Sequence, residues 1–105
     1  MIDESTVLRA VNQLLQAAPG ATVIVYGSQA RGDAVDDSDL DILVVEPHLQ
    51  DRHAEMVRLQ EVLGPLLLPA DIMVVSRETF DKWRNSPSTI FYHAEHEGKA
   101  YGNVA

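Results

Sequence analysis

Hydrophobic side chains recur every three to four residues in two long segments of the chain, which is the spacing of one face of an amphipathic helix. The pattern predicts helices over residues 5–17 and 51–63, with Ser5 as a candidate N-cap of the first. Two shorter helices are predicted towards the carboxyl end, one capped by Ser76 and one over residues 87–97 with a proline in its first turn.

Runs of apolar, β-branched residues alternate with these helices and predict three buried strands. The strands cover residues 22–26, 40–45 and 71–75. A short helix over residues 29–31 and a polar loop over residues 33–38 are predicted between the first two strands. Strands that alternate with helices indicate an α/β or α+β fold. No repeat or long linker divides the chain, so a single domain over residues 1–105 is expected.

The composition narrows the class of protein. Of 105 residues 46% are hydrophobic, which is enough for one modest core, and no apolar run is long enough to cross a membrane. Without cysteine there are no disulfides and no thiolate metal site, and a cytoplasmic location is expected. Sixteen acidic against eight basic residues give a net charge of −8, which disfavours extended nucleic acid. A single nucleotide that arrives with Mg²⁺ stays compatible, because the metal reverses the local field.

Two carboxylates interrupt the pattern of the second predicted strand. Side chains alternate between the faces of a strand, so Asp39 and Asp41 project together while the apolar residues beside them face the core. Paired carboxylates repel each other unless a cation lies between them, and their oxygens are ligands that Mg²⁺ prefers. We therefore predict that Asp39 and Asp41 bind metal. Asp36 and Asp37 are interpreted as solvated turn residues.

The first predicted strand ends abruptly at Gly27-Ser28, just before the short helix. Such a junction presents backbone N–H groups to a phosphate, and a glycine lets the phosphate approach the backbone closely. Ser28 adds a hydroxyl donor and Arg31 a planar charged fork, so Gly27, Ser28 and Arg31 are candidate nucleotide-binding residues. The turn alone is a weak signal, and it is not a Walker loop because the Gly-Lys-Ser/Thr ending is absent.

Asp71 begins the third predicted strand. A third carboxylate on a neighbouring strand would complete a two-metal site and accept the proton of an acceptor hydroxyl. Taken alone, a polar residue at a strand edge is the simpler interpretation of this aspartate. Its candidate role depends on the other two carboxylates.

Together these segments resemble the polymerase-β nucleotidyltransferase superfamily, and most of all its minimal branch, the MNT domain proteins of prokaryotes. The similarity lies in Gly27-Ser28 with Ala30-Arg31-Gly32, in Ser38-Asp39-Leu40-Asp41-Ile42, in Asp71, and in the final Glu97-Gly98-Lys99-Ala100-Tyr101. The resemblance implies a mixed β-sheet flanked by helices. It also implies that the Gly-Ser turn holds a triphosphate, that Asp39 and Asp41 bind Mg²⁺, and that Asp71 completes the site.

The reaction implied by this resemblance is transfer of a nucleoside monophosphate from ATP or another nucleoside triphosphate to an acceptor hydroxyl, with two Mg²⁺ ions. In the MNT branch the role implied is that of an antitoxin. Its partner is a helical HEPN-type ribonuclease toxin, neutralised by binding, by adenylylation or by both. Little chain is left for a substrate-binding domain, so the acceptor surface is expected from a second subunit or from the acceptor itself. The sequence leaves the base, the acceptor and homo-oligomerisation open.

Two other functions stay open from the residues. One is a small-molecule nucleotidyltransferase of the antibiotic-modifying kind, which normally carries an extra helical domain; the other is a non-catalytic acidic module that blocks a basic partner.

His93 and His96 are interpreted as a solvated helix face, because no third metal ligand accompanies them. Four aromatic residues of the last two predicted helices are interpreted as core residues: Phe80, Trp83, Phe91 and Tyr92. The alternative is that they form an aromatic interaction surface.

Overall fold

The computed structural model of the protein describes residues 2–32 and 39–102. Along the chain its helices and strands are α1 (Glu4–Ala17), β1 (Thr22–Tyr26), α2 (Ser28–Arg31), β2 (Leu40–Glu46), α3 (Arg52–Leu63), β3 (Ala70–Ser76), α4 (Arg77–Trp83), α5 (Ile90–Glu97) and β4 (Lys99–Gly102). A 3-10 turn over Gly64–Leu66 follows α3. The predicted polar loop over residues 33–38, with Asp36 and Asp37, lies outside the described residues.

The four strands form one mixed sheet in the order β3-β2-β1-β4. Strands β2 and β3 are parallel and are joined through α3, whereas β1 is antiparallel to both of its neighbours. Parallel neighbours need such a crossover because a tight turn cannot join them. The predicted mixed α/β (α+β) sheet flanked by helices is confirmed.

Strands β1, β2 and β3 are covered on both faces of the sheet. On one face Val25, Ile42 and Val74 pack with residues of α1 and α3, and on the other face Leu43, Val45 and Val75 pack with Phe80 and Ala94 of α4 and α5. Alternate residues of a strand point to opposite faces, so near-continuous apolar runs are what a sheet covered on both sides requires. Within the described residues, no helix is long and apolar enough to cross a membrane.

Two helix starts differ from the sequence prediction. The N-cap of α1 is Asp3, whose side chain accepts the backbone N–H of Thr6 at 2.8 Å, while Ser5 donates its hydroxyl to that carboxylate. Aspartate and serine are about equally favoured as N-caps, so residue type alone does not decide between Asp3 and Ser5. Helix α5 begins at Ile90 after the N-cap Thr89, and the predicted start at residue 87 was wrong.

Strand β4 was missed, because only Tyr101 of its four residues is even half-buried and the segment has no apolar alternation. It is stabilised by pairing with β1, from Gly102 opposite Thr22 to Lys99 opposite Val25. Tertiary pairing of this kind overrides weak local preference. Within the predicted helix over residues 51–63, the hydrophobic spacing also assigns Val57 to the apolar face; it is 46% exposed, so that assignment was wrong.

Candidate active site

Strand β1 ends in a glycine with a backbone that other residues rarely adopt. Gly27 has φ 77° and ψ −156°, a combination found almost only in glycine. A Cβ atom at this position would overlap the carboxylate of Asp41 and would lie 3.2 Å from its Cγ. The candidate phosphate turn and the candidate metal-binding strand therefore touch each other.

Asp41 and Asp71 lie side by side at the start of β2 and β3. They are partners in the parallel register, one position after Leu40 and Ala70. The backbone N–H of Leu40 donates to the carbonyl of Pro69 at 2.8 Å, which holds the two strands together where they begin. Both aspartates share the face of the sheet on which α4 and α5 pack, but Asp41 is only half-buried and Asp71 is exposed.

Negative charge at this edge raises the pKa of neighbouring groups. Burial raises the pKa of Asp41, and the charges of Asp71 and Asp39 raise it further, while Arg31 lowers it. Burial, together with the charges of Asp41 and Asp71, raises the pKa of Tyr26 to about 12. The edge thus concentrates negative charge that a cation would relieve.

The donors at this edge suit a hard divalent cation. Mg²⁺ takes oxygen ligands and usually binds through one or two carboxylates, with water and phosphate oxygens in the remaining positions. Asp41 and Asp71 offer adjacent carboxylates, and Asp39 lies exposed just before β2. Within residues 2–32 and 39–102, no three His, Cys, Asp or Glu side chains converge closely enough to hold a metal ion. A cation here therefore needs oxygens from its nucleotide as well as from the chain.

Ser28 and Arg31 stand at the two ends of α2. Ser28 is half-buried directly after Gly27, and the side chain of Arg31 is exposed. Nη1 of Arg31 lies 3.6 Å from Oε1 of Glu97 on α5, and its charge also acts on Asp41. The structure therefore brings the turn, the arginine and the carboxylates to one edge of the sheet.

A cavity of about 500 Å³ lies on the α1 side of the sheet and borders α2. Its walls include Val7 of α1, Val25 of β1 and Tyr101 of β4, residues that pack with the core on the α1 face of the sheet. None of the six predicted site residues lines it. The neighbours of Arg31, Ala30 and Gly32, do line it, so the cavity adjoins the helix that follows the candidate phosphate turn.

Two residues at this edge, Tyr26 and Glu97, have no role predicted from the sequence. Tyr26 is the register partner of Asp41 and so shares its face of the sheet, which its position just before the glycine turn could have indicated. Glu97 reaches Arg31 only because of how α5 packs on β1, and no local pattern in the sequence predicts that contact.

The remaining candidates are mostly as predicted. His93 and His96 are exposed; Nδ1 of His93 lies 3.1 Å from Oε2 of Glu97 and the ring of His96 lies 4.1 Å from that of Tyr92. Phe80 is buried and meets Phe91 edge to face at 6.3 Å, whereas Trp83 is 41% exposed, so its assignment to the core was wrong.

The family model described as nucleotidyltransferase domain matches residues 4–96. A solved structure described as a candidate nucleotidyltransferase from Sulfolobus solfataricus is 25% identical, with a TM-score of 0.59 over 74% of this chain and 70% of that one. A toxin–antitoxin structure with AMP-PNP has a TM-score of 0.63 at 22% identity, and covers 98% of this chain and 76% of that one. The toxin–antitoxin MntA-HpeT, solved as a mutant with two aspartates changed to glutamate, has a TM-score of 0.62 at 20% identity over the same shares. No curated protein matches the sequence significantly.

Proposed function

Because the chain belongs to the nucleotidyltransferase domain family, we propose that it is a Mg²⁺-dependent adenylyltransferase that modifies and neutralises a partner protein. ATP is the donor in this proposal, in keeping with the AMP-PNP in a structure of the same fold. The adenylyl group passes to a hydroxyl of the partner, and pyrophosphate leaves. Membership of the family establishes a nucleotidyltransferase domain. The donor, the reaction and the target are what we propose in addition.

One observation carries this proposal: the turn that would hold phosphate is in contact with the carboxylate that would hold metal. Gly27 leaves no room for a Cβ beside Asp41, so a triphosphate on the turn would lie next to the carboxylate. Phosphoryl-type transfer depends mostly on placing phosphate, charge and nucleophile together. A strand–turn–helix junction with no role in binding would not be expected to lie beside a pair of like charges.

The three residues around α2 bind the triphosphate in this proposal. Gly27 permits close approach of phosphate oxygens to the backbone, and Ser28 donates its hydroxyl. Arg31 pairs with phosphate oxygens through its planar fork. Contacts of this kind would bring the triphosphate towards the edge where β2 and β3 begin.

Asp39, Asp41 and Asp71 would share two Mg²⁺ ions between them, and oxygens of phosphate and water would fill the remaining ligand positions. Mg²⁺ bound there would supply positive charge that neutralises the leaving pyrophosphate and would lower the pKa of the acceptor hydroxyl. The acceptor oxygen then forms a bond to the α-phosphorus, while the bond from that phosphorus to the pyrophosphate oxygen breaks. Asp71 orients the acceptor and takes its proton.

The proposed partner is a HEPN-type ribonuclease toxin, for which this chain is the antitoxin. The net charge of −8 favours association with a partner whose surface binds nucleic acid, because such a surface is positively charged. Toxin–antitoxin structures of the same fold make a protein partner the natural acceptor. Asp39 and Asp71 are exposed and Asp41 is half-buried, so this edge is open to an acceptor as large as a protein.

The test is transfer of label from ATP labelled at the α-phosphate. The purified chain is incubated with Mg²⁺ and labelled ATP, with and without the protein encoded beside its gene, and with EDTA as a control. We expect Mg²⁺-dependent label on the partner, and none with Asp41→Asn.

Other outcomes would replace the proposal. Label on hydroxylated antibiotics but not on the protein would indicate a small-molecule nucleotidyltransferase. Tight binding to the partner with no transfer, unchanged by Asp41→Asn, would indicate a non-catalytic binding module.

A further inference from the structure

Glu97, the last residue of α5, connects that helix to the candidate site. Its Oε1 lies 3.6 Å from Nη1 of Arg31, and its Oε2 lies 3.1 Å from Nδ1 of His93, one helical turn earlier. Each carboxylate oxygen thus faces a nitrogen. A carboxylate held on both sides has less freedom to turn away from the arginine.

The backbone at Glu97 is held close to β1. A Cβ on the next residue, Gly98, would lie 2.6 Å from Cγ2 of Ile24 and 2.9 Å from the carbonyl oxygen of Val25. Only a glycine allows this approach, and the N–H of Gly98 also donates to the carbonyl of Ala94 at 3.0 Å. The end of α5 is therefore fixed against the strand that leads into the Gly27 turn.

We propose that Glu97 is a positioning residue, whose carboxylate holds the guanidinium of Arg31 towards the phosphate turn before the nucleotide arrives. This inference rests on the proposed function, because it requires Arg31 to bind the triphosphate. A long charged side chain that is already ordered loses less conformational freedom when its ligand binds. The two side chains are 44% and 33% exposed, so the effect is that of a surface ion pair, about two- to fivefold in Kd.

The same helix provides a matched control. Glu95 pairs with Arg84 at 2.7 Å, and its side chain is 31% exposed, against 33% for Glu97. Arg84 follows α4 and pairs with Asp81 as well, so this network contains no residue of the candidate site. Loss of the Glu95 pair therefore reports the general cost of removing an acid and an ion pair from α5.

The experiment measures Kd for Mg-ATP and for AMP, by calorimetry, in the wild type and in four variants. The variants are Glu97→Gln, Glu95→Gln, Arg31→Ala and the double variant Arg31→Ala with Glu97→Gln. We expect Glu97→Gln to weaken ATP binding about two- to fivefold and to leave AMP binding unchanged, because AMP lacks the outer phosphates. Glu95→Gln should change neither, and Glu97→Gln should have no further effect once Arg31 is absent.

Three results would overturn the inference. Equal effects of Glu97→Gln and Glu95→Gln, or an effect of Glu97→Gln that persists without Arg31, would mean that Glu97 acts only through stability or net charge. Tighter ATP binding in Glu97→Gln would mean that Glu97 competes with phosphate for the arginine. In each of these cases wild-type binding of Mg-ATP leaves the proposed function standing. If the wild type does not bind Mg-ATP at all, both fail.

Discussion

The two ends of strand β2 each place an acid beside another acid, and the protein balances only one of them. At the carboxyl end Glu46 lies next to Glu55, whose two oxygens accept hydrogen bonds from Arg58 at 2.7 and 2.8 Å. Burial and the contact with Glu55 raise the pKa of Glu46 to about 7, while Arg58 holds the pKa of Glu55 at about 2. At this end the raised pKa of Glu46 favours its neutral form, and Arg58 supplies the counter-charge of Glu55.

At the amino end, Asp41 has a different environment. After burial, the strongest influences on its pKa are two further negative charges, Asp71 and Asp39, and the opposing influence of Arg31 is smaller than either. A pair that carries its own counter-charge is structural, whereas a pair left in excess negative charge gains most from a cation that comes from outside. The difference between the two ends is what identifies the amino end as the candidate metal site.

The largest expected effect comes from removing the charge at the amino end. Asp39→Asn combined with Asp41→Asn should abolish nucleotide transfer, while the free energy of unfolding without ligand stays equal or rises slightly because like charges are lost. Glu46→Gln is the matched change at the other end and should leave transfer intact. Transfer assays and thermal melts of both variants check this. Unfolding of the double variant would show that the aspartates are structural.

Gly27→Ala tests whether the turn and Asp41 need their contact. The added Cβ displaces the carboxylate, and a displacement of about 1 Å in an active site costs about a hundredfold in rate. Gly32→Ala is the control, since Gly32 also has a positive φ, of 83°, but its Cβ would have nothing within 4 Å. It should lower the free energy of unfolding by about 1 kcal/mol and spare transfer. Equal transfer rates in the two variants would remove the contact from the mechanism.

Ser28→Ala separates a phosphate-binding hydroxyl from a turn hydroxyl. Loss of one hydrogen bond to a charged oxygen is worth about 1.5–3 kcal/mol, or roughly tenfold to a hundredfold in kcat/KM. We expect that loss with an unchanged melting temperature. Wild-type kinetics with a free energy of unfolding lowered by a few tenths of a kcal/mol would reduce Ser28 to an ordinary turn residue.

The smallest effect is expected from the balanced end and appears in the pH dependence of stability. The pKa of Glu46 is raised in the fold from its ordinary 4.5 to about 7, so its stabilising contribution is present below pH 4.5 and is lost as pH rises through 7. Glu46→Gln should match the wild type at pH 4.5. At pH 8 it should exceed the wild type by about 1 kcal/mol, since solvent screens much of the repulsion. Urea denaturation at both pH values measures this, and parallel curves would contradict the account.

Much of the fold was predictable because its core strands carry strong local patterns. Strand β1 was predicted with its observed bounds, and β2 and β3 within one residue at either end, since near-continuous β-branched runs suit a sheet covered on both faces. Strand β4 was not predictable: Lys99, Ala100 and Gly102 are exposed, and only pairing with β1 makes the segment a strand.

The candidate site was predictable in its residues more than in its geometry. Asp41 stood out because a carboxylate interrupts an apolar run, and Gly27 because a Gly-Ser turn between a strand and a short helix offers backbone N–H groups to phosphate. Their contact depends on the pairing of Tyr26 with Asp41, which brings together residues 15 apart in sequence. The link from Glu97 to Arg31 depends on helix packing, which no local pattern encodes.

The most direct test of the central claim is a thermal melt with and without Mg-ATP, on the wild type, Asp41→Asn and Glu46→Gln. A ligand that binds only the native state raises its stability by about 2.7 kcal/mol at a hundredfold excess over Kd. We expect a clear rise in Tm for the wild type and for Glu46→Gln, and none for Asp41→Asn. A wild-type Tm that saturating Mg-ATP and the other Mg-nucleotides leave unchanged, or an equal rise in Asp41→Asn, would show that Asp41 does not form a metal–nucleotide site.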